Sequence, residues 1–336
     1  MRWFKWRKKD TANADALTAE LDNTESVPEE IVVQPEKIIA KFKRRYRFFQ
    51  ISFFMLIALY GVTIYFNYDY WIFKFLIANN YVFTDALDTL YSQHLLEENR
   101  RSFHRDFDRV VISVVTGQLS AINNDRFTYL YSPQHIQAVR QMDVVVAQRA
   151  TVHALNEDTV YLYIPNISRI TREFVHDNSE YMAQYANLVL DLRGNYGGWL
   201  IDFQRIADLF VPRGAVLGYE DTRMNITSRT ITSSNDQFFY FDNVIILQNR
   251  RTASAAESLI LALRYHVPNV VLLGETTFGK GIGQVTIPLT GGYAVRATVL
   301  HVLGPGRESI HLTGINPCIV ACTETDMIEQ ALALIN

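Results

Sequence analysis

A long, uncharged apolar run extends from Phe48 to Phe66 and follows directly on a basic cluster. About 20 apolar residues are needed to cross the hydrocarbon core of a bilayer, and the run reaches that length. The cluster consists of Lys41, Lys43, Arg44, Arg45 and Arg47. Because positive charge tends to stay on the cytoplasmic side, we expect a cytoplasmic tail over residues 1–47, a transmembrane helix over 48–66 and an extracytoplasmic remainder. A buried core helix is the alternative, which the cationic flank disfavours.

The segments on either side of this run differ in character. The first ten residues mix aromatic rings with cations, which suits either a membrane surface or a solvated basic tail. Thr11–Pro35 is polar, and we expect it to be disordered. After the run, residues 67–140 are predicted to form a helical region. Within it, Trp71–Phe83 is expected to extend the helix along the membrane interface, and Phe107–Ile122 has apolar residues at helical spacing.

From residue 141 onward the pattern changes to short runs of β-branched and aromatic residues. Ser132 and Pro133 predict the start of a helix just before this change. Predicted strands cover 143–148, 151–155, 159–164, 188–192, 243–248, 269–274, 284–289, 293–300 and 311–319. Predicted helices cover 168–185, 199–210, 255–265 and 325–335. Because apolar strands alternate with helices, residues 141–336 are expected to form an α/β core with a largely parallel sheet.

Composition excludes several classes of function. The 336 residues carry a formal net charge of −3, whereas domains that bind nucleic acid are usually strongly basic. The two cysteines, Cys318 and Cys322, have no clustered histidines or further cysteines beside them, so we expect neither a metal site nor a cofactor. Ordinary thiols are the first interpretation of this pair, and a disulfide is the second.

Two segments carry residues suited to acyl transfer. Ser254 follows a predicted strand and begins a predicted helix, and Lys280 lies between glycines after the next strand. A lysine acts as a base for a serine when burial lowers the pKa of its ammonium. The N–H groups of Ala255 and of Gly197 or Gly198 are candidates for an oxyanion hole. The simpler alternatives are that Ser254 only caps a helix and that Lys280 is a solvated turn residue.

Gln284 is a further candidate residue. The sequence around Lys280 also allows an alternative interpretation, a nucleotide-binding site. Gln284 lies four residues after Lys280, where it is expected to accept a hydrogen bond from the lysine amine. The segment from Gly274 to Lys280 also satisfies the spacing of a phosphate-binding loop. Gly281, however, stands where that loop needs a serine or threonine to reach magnesium, and a strand-like sequence follows instead of a helix. We therefore reject the nucleotide site.

Three segments resemble the signature segments of the carboxyl-terminal processing peptidases, which are family S41 of the serine peptidases. They are Leu190–Gly198, Thr252–Glu257 and Gly274–Gln284, in the family's order. Weaker similarity appears in Asn124–Thr128 and Gly314–Pro317, so the resemblance covers roughly residues 79–336. It implies a crotonase-like α/β spiral core with a helical N-terminal region.

The resemblance also implies a role for each candidate residue. By position in the motifs, Ser254 is the nucleophile, Lys280 the general base and Gln284 its support. Gly197 or Gly198 supplies the oxyanion hole together with Ala255. The family usually inserts a PDZ domain between the helical region and the core, but only about twenty residues separate Pro133 from the following strand region here. Recognition of free C-termini through that domain is therefore not expected.

The sequence leaves more than one function open. The first hypothesis is a membrane-anchored serine endopeptidase that cleaves extracytoplasmic polypeptides with a serine–lysine dyad, possibly near their C-termini. The second is a catalytically silent peptide-binding or scaffold protein that keeps the same fold. The third is a crotonase-type acyl-CoA enzyme, which an extracytoplasmic location disfavours.

Overall fold

The computed structural model describes residues 35–83, 105–235, 239–320 and 327–335. The predictions for residues 1–34 and for Cys322 lie outside these ranges. The chain divides into two compact units, with the boundary between Val62 and Thr63. The units are therefore described separately below.

The first helix, α1 (Pro35–Asn80), contains the apolar run. Its segment Ile39–Tyr65 has the length and composition needed to cross a membrane, and none of its apolar window is buried. The predicted helix over 48–66 lies almost entirely within this segment. Length and composition are the whole basis for calling it a candidate span.

The second unit contains the remaining elements, which are numbered in chain order. The helices are α2 (Arg105–Asn123), α3 (Pro133–Ala147), α4 (Arg169–Asp177), α5 (Ser179–Met182), α6 (Leu200–Ala207), α7 (Ala255–His266) and α8 (Met327–Ile335). The strands are β1 (Tyr129–Tyr131), β2 (Thr151–Ala154), β3 (Thr159–Tyr163), β4 (Asn187–Asp191), β5 (Val216–Thr222), β6 (Arg229–Thr232), β7 (Asn243–Gln248), β8 (Val270–Gly274), β9 (Ile282–Pro288), β10 (Ala294–Leu303) and β11 (Ile319–Val320).

The main sheet has six strands in the order β11-β8-β7-β4-β3-β2. All neighbours in it are parallel except β2 and β3. Successive side chains of a strand point to opposite faces, so β4 divides its apolar residues between two layers. Leu188 and Leu190 join the cluster that includes α6 and α7, whereas Val189 joins the one that includes α8. Helices thus cover both faces, and the predicted α/β class is confirmed.

A second, antiparallel sheet was not predicted. It has the order β1-β10-β5-β6, and β9 also pairs with β10. The end of α1 and helix α2 pack on it. Tyr70, Phe73 and Ile77 are buried against α2 and β10, together with Tyr81 just beyond the helix. The predicted extension of the helix past Trp71 is confirmed as far as Asn80. Phe73 and Ile77 do not lie along a membrane interface as expected, because the second unit itself buries them.

The strand predicted over 143–148 is also wrong, because these residues end helix α3. The Oγ atom of Ser132 accepts a hydrogen bond from the N–H of His135, and Pro133 stands in the first turn. A well-capped start lets the helix continue through a run of valines in spite of their β propensity. The extended segment predicted over 311–319 is mostly turn, and only Ile319–Val320 forms a strand.

Candidate active site

Ser254 lies at a sharp turn between β7 and α7. Its backbone has φ 58° and ψ −123°, a conformation that is strained for a residue with a side chain. The Ser254 N–H donates a 2.7 Å hydrogen bond to Oε2 of Glu257, which helps to hold the turn. Such a turn lifts a serine hydroxyl out of the backbone at the end of a parallel sheet, where it is presented for attack.

The predicted glycines lie directly against this turn. A Cβ atom added to Gly197 would be 2.7 Å from Cβ of Ser254 and 2.9 Å from the backbone nitrogen of Ala255. At Gly198 an added Cβ would collide with the carbonyl group of Ile167. Both positions therefore require glycine, because the glycine loop packs against the serine turn on one side and the Ile167 backbone on the other.

The two glycines differ in their free donors. The N–H of Gly197 donates a 2.9 Å hydrogen bond to Oδ1 of Asn195. The N–H of Gly198 has no partner among the hydrogen bonds of the described residues. Ala255 is the first residue of α7, and the first N–H groups of a helix have no acceptor within it. Of the predicted pairs, the geometry thus favours Gly198 with Ala255.

Lys280 lies in the loop between β8 and β9. Its Nζ atom is 4.4 Å from the centre of the Phe127 ring. Burial and, next, the positive charge of Arg296 lower the pKa of Lys280, Asp125 and Glu257 act in the opposite direction, and the resulting pKa is about 8. Part of the Lys280 amine is therefore neutral near physiological pH, which is the form that a general base requires.

Glu257 connects the serine turn to the lysine loop. Its side chain is completely buried. Oε2 accepts the N–H of Ser254 at 2.7 Å and the N–H of Lys280 at 2.9 Å. Oε1 accepts the N–H of Gly279 and the hydroxyl of Thr277. One carboxylate oxygen thus holds the backbones of Ser254 and Lys280 side by side.

Two expected side-chain contacts are absent from the described residues. No hydrogen bond joins Nζ of Lys280 to Oγ of Ser254, and none joins it to Gln284. Oε1 of Gln284 instead accepts a 3.2 Å hydrogen bond from Nη2 of Arg296, and Nε2 of Gln284 donates to Oγ1 of Thr298 at 3.3 Å. The predicted hydrogen bond between Gln284 and Lys280 is therefore wrong. Oε1 of Gln284 accepts its hydrogen bond from Arg296 instead.

Glu257 and Arg296 were not predicted as site residues from the sequence. The signal for Glu257 was its spacing, since Ser254-x-x-Glu257 is the pattern of a capping box. No sequence pattern around Arg296 indicated that it would reach the site. It comes to the site on β10, where Nη1 donates to the hydroxyl of Tyr131 at 2.9 Å while Nη2 donates to Gln284.

The described residues contain no group of three His, Cys, Asp or Glu side chains placed to hold a metal ion. Cys318 is an exposed free thiol.

Comparison with known proteins finds similarity to one peptidase family. The model of peptidase family S41 matches residues 158–321. Carboxy-terminal processing protease CtpA of Bacillus subtilis is 35% identical over 133 residues, which is 40% of this chain and 28% of that protein. The carboxyl-terminal-processing protease of Synechocystis sp. is 36% identical over 144 residues, which is 43% of this chain and 31% of that protein. The matched part thus spans less than a third of these relatives.

Solved structures show the same fold. A lipoprotein from Streptococcus agalactiae superposes with a TM-score of 0.61 at 19% identity, covering 80% of this chain and 96% of that one. The photosystem II D1 C-terminal processing protease gives a TM-score of 0.58 at 16% identity, covering 77% and 93%. By fold, the chain is an α/β protein of the kind seen in these structures. In sequence, residues 158–321 are similar to peptidase family S41.

Proposed function

We propose that the chain is a membrane-anchored serine endopeptidase with Ser254 as nucleophile and Lys280 as general base. The observation that carries this proposal is the shared acceptor Oε2 of Glu257, which binds the backbone N–H groups of both residues. The strained turn at Ser254 and the lowered pKa of Lys280 suit the two roles.

The reaction proceeds through an acyl-enzyme. The neutral amine of Lys280 takes the hydroxyl proton of Ser254 as Oγ attacks the peptide carbonyl carbon. The N–H groups of Ala255 and Gly198 stabilise the negative oxygen of the tetrahedral intermediate. The Lys280 ammonium then gives its proton to the leaving amine. Water, deprotonated by the same lysine, attacks the acyl group and releases the second product.

In the proposed reacting state, the side chains of Lys280 and Gln284 have partners that differ from those in the described structure. Lys280 has to turn its amine from the face of Phe127 toward Ser254, which its flexible four-carbon stem allows. Gln284 then exchanges the hydrogen bond from Arg296 for one from the lysine amine, which fixes the position of that amine. Substrate binding supplies the free energy for this exchange.

The substrate class follows from the relatives and from the candidate membrane span. The relatives are named carboxy-terminal processing proteases, so we propose polypeptide substrates, cleaved near their C-termini. The basic cluster, which lies within the first part of Ile39–Tyr65, favours a cytoplasmic N-terminus. In this topology the second unit, with the site, lies outside the cytoplasm.

The test uses the full chain in lipid nanodiscs with an unstructured fluorescent polypeptide. We expect Ser254→Ala and Lys280→Ala each to lower kcat by about 10⁴-fold or more while leaving the melting temperature near that of the wild type. Exposed Arg213→Ala serves as a control that leaves cleavage unchanged. Cleavage by Ser254→Ala at the wild-type rate would exclude the proposed nucleophile.

One observation favours a second candidate function, a catalytically silent peptide-binding protein. Lys280 has no hydrogen bond to Ser254 in the described residues, and Arg296 holds Gln284. This candidate predicts that peptide binds and that no product forms after long incubation over a range of pH. Any product whose formation depends on Ser254 decides in favour of the peptidase.

A further inference from the structure

Asp125 is a buried carboxylate in the turn between α2 and β1, and it takes no part in the reaction proposed above. Oδ1 accepts hydrogen bonds from the N–H of Phe127 at 3.1 Å and from Oγ1 of Thr298 at 3.0 Å. Oδ2 accepts one from Oγ1 of Thr128 at 2.6 Å. Hydrogen bonds to a buried carboxylate are strong. Because three donors fix this carboxylate, it in turn fixes the groups that donate to it.

The local sequence and the pairing of β1 bring this carboxylate to β10. The hydrogen bond from the N–H of Phe127 to the side chain of Asp125, two residues earlier, forms an Asx-turn, which short aspartate side chains favour. Strand β1 follows directly and pairs antiparallel with β10. The N–H of Thr298 on β10 donates a 2.9 Å hydrogen bond to Oγ1 of Thr128. The turn is therefore attached to β10 at Thr298.

Thr298 connects Asp125 to the proposed support of the base. In the register of β9 against β10, Thr298 lies opposite Gln284. The hydroxyl of Thr298 is completely buried, donates to Asp125 and accepts a 3.3 Å hydrogen bond from Nε2 of Gln284. The amide of Gln284 is therefore held by a hydroxyl group that Asp125 orients.

Phe127 connects Asp125 to the proposed base itself. Its backbone N–H is bound to Asp125, and the centre of its ring lies 4.4 Å from Nζ of Lys280. A cation at this distance is attracted to the face of an aromatic ring. Asp125 thus fixes the backbone of the residue whose ring contacts the lysine amine.

Charges on three elements act on the Lys280 amine. Burial is the largest cause of the lowered pKa of Lys280, and Arg296 on β10 lowers it next, whereas Asp125 in the turn and Glu257 on α7 raise it. Arg126, in the same turn as Asp125, is a further cation nearby, and its guanidinium lies over aromatic rings. Removal of the Asp125 charge therefore favours the neutral amine.

Two other titratable groups near Asp125 are uncharged in the range where Lys280 titrates. Burial and, next, the charge of Asp125 raise the pKa of the Tyr81 hydroxyl above its ordinary value. Burial and, next, His301 lower the pKa of His311, while Asp125 acts in the opposite direction. Both groups are therefore neutral between about pH 7 and 9. A change of the titration in this range reports on Lys280.

We propose that Asp125 is a positioning residue for the proposed base: through Phe127 it fixes the ring beside the Lys280 amine, and through Thr298 it holds Gln284, which receives that amine in the reacting state. Its negative charge acts on the amine from this fixed position. The inference rests on the proposed peptidase function. A purely structural role would change the stability of the turn, but neither the titration of Lys280 nor the turnover of the folded chain.

The first test measures the titration of Lys280 without cleavage. It uses the full chain with Ser254→Ala in nanodiscs and labels the Lys280 amine with acetic anhydride at a series of pH values, read by mass spectrometry. Asp125→Asn keeps Oδ1 as an acceptor but removes the negative charge, so the labelling midpoint should move to lower pH. Exposed Asp242→Asn, just before β7, removes the same charge and should leave the midpoint unchanged. A midpoint for Asp125→Asn at or above that of the control overturns the proposal.

The second test measures turnover with the charge of Asp125 retained. Thr298→Val has nearly the same shape and removes the hydroxyl between Asp125 and Gln284. At a pH above the midpoint, we expect kcat to fall about tenfold or more with little change in KM, because small displacements of catalytic groups are costly. Thr298→Ser keeps the hydroxyl and should restore most of the turnover.

Thr116→Val is the matched control for Thr298→Val. It also removes a buried hydroxyl, but one that is hydrogen-bonded within α2, to the backbone oxygens of Ile112 and Ser113. It should leave kcat unchanged. Melting temperatures are recorded so that turnover is compared where all variants are folded. Equal kcat of Thr298→Val and Thr116→Val overturns the proposal.

The two tests separate this proposal from the peptidase function. If the wild type forms no product while Asp125→Asn still moves the labelling midpoint, the peptidase function is contradicted and the link between Asp125 and Lys280 remains. If the wild type cleaves and neither variant differs from its control, the peptidase function remains and the role of Asp125 is overturned. If Asp125→Asn does not fold, the two Thr298 variants decide.

Discussion

Glu257 concentrates much of the site's geometry in one carboxylate. A buried charge is costly unless it is fully hydrogen-bonded, and this one accepts four donors. They are the N–H groups of Ser254, Gly279 and Lys280 and the hydroxyl of Thr277. The bonds hold the strained Ser254 turn and the lysine loop together, so the positions of the proposed nucleophile and the proposed base depend on one residue.

Replacing Glu257 by glutamine should damage both stability and activity. The amide nitrogen cannot accept hydrogen bonds, so at least one backbone N–H faces another donor. Because an unsatisfied buried group costs about 1–3 kcal/mol, we expect the free energy of unfolding to fall by about 2–4 kcal/mol. Urea denaturation measures this loss, and kcat should fall as well. Glu173→Gln, on the exposed face of α4, is the control. A fully stable and active Glu257→Gln chain would contradict the positioning role.

Substitution by alanine should reduce cleavage more at Gly197 than at Gly214, although both glycines have a positive φ. Gly197 has φ 92° and Gly214 has φ 82°, so alanine brings similar backbone strain, about 1–2 kcal/mol, to both. Only at Gly197 does the added Cβ meet Ser254 and Ala255, whereas nothing lies within 4 Å of it at Gly214. We expect Gly197→Ala to abolish cleavage and Gly214→Ala to retain it at slightly reduced stability. Equal activity of the two variants would show that close packing at Gly197 is not required.

The pH dependence of cleavage should follow the amine of Lys280. Its pKa is about 8, so roughly a tenth of the chains carry the neutral base at pH 7 and roughly nine-tenths at pH 9. Activity should therefore rise with pH through about 8. The positive charge of Arg296 disfavours protonation of the amine, so Arg296→Gln should raise the pKa and move the midpoint to higher pH, which lowers activity at pH 7.

The matched control for this prediction is Arg296→Lys, which keeps the positive charge. Its midpoint in a plot of kcat/KM against pH should stay closer to that of the wild type than the midpoint of Arg296→Gln does. Asp125 and Glu257 also act on the amine and are unchanged in both variants. A midpoint that moves to lower pH in Arg296→Gln would contradict the electrostatic role of this arginine.

Ser254 and Lys280 could be predicted as candidates because each lies in a local pattern of strand, turn and small residues. Arg296 could not, since it reaches Gln284 across a register of β9 against β10 that only the folded sheet sets. The same reason explains the wrong prediction for Gln284. Spacing along the chain placed Gln284 near Lys280, but the neighbouring strand supplied Arg296 as the donor.

At the scale of elements, the parallel sheet was predictable and the antiparallel sheet was not. The strands β4, β7 and β8 are buried on both faces and appear as apolar runs. Strand β5 contains glycine and acidic residues, so its sequence has little β signal. Its pairing with β6 includes a hydrogen-bonded ion pair between Glu220 and Arg229, and its other edge pairs with β10. Long-range pairing therefore determines this strand.

The end of α1 should contribute strongly to the stability of the second unit. Phe73 is completely buried against α2 and β10, whereas Phe75, two residues later, is exposed. Removing a buried phenylalanine side chain typically costs about 3–5 kcal/mol. We expect Phe73→Ala to lower the free energy of unfolding by that amount and Phe75→Ala to change it by less than about 1 kcal/mol. Urea denaturation of both variants in nanodiscs measures the difference, and equal losses would contradict the packing of this helix end.

At the scale of the whole molecule, one helix, α1, extends across the boundary between the two compact units. The apolar run ends near the boundary at Val62–Thr63, and the second unit begins within the same helix. The sequence could not show that α1 continues to Asn80 with buried side chains, because an apolar stripe that faces protein and one that faces lipid have similar composition. Burial by partners far along the chain distinguishes the two.

The membrane anchor itself can be tested with two matched pairs of substitutions. Met55 and Leu56 lie near the middle of Ile39–Tyr65. Arginine near the centre of a spanning helix costs about 2.5–3.5 kcal/mol per residue for insertion. We therefore expect Met55→Arg with Leu56→Arg to release the chain from membranes washed with sodium carbonate, whereas the wild type stays. Exposed Met224→Arg with Ile226→Arg adds the same charge in the second unit and should leave the chain bound. If both double variants remain with the membrane, insertion of this segment does not depend on its apolar centre, and the proposed anchor is wrong.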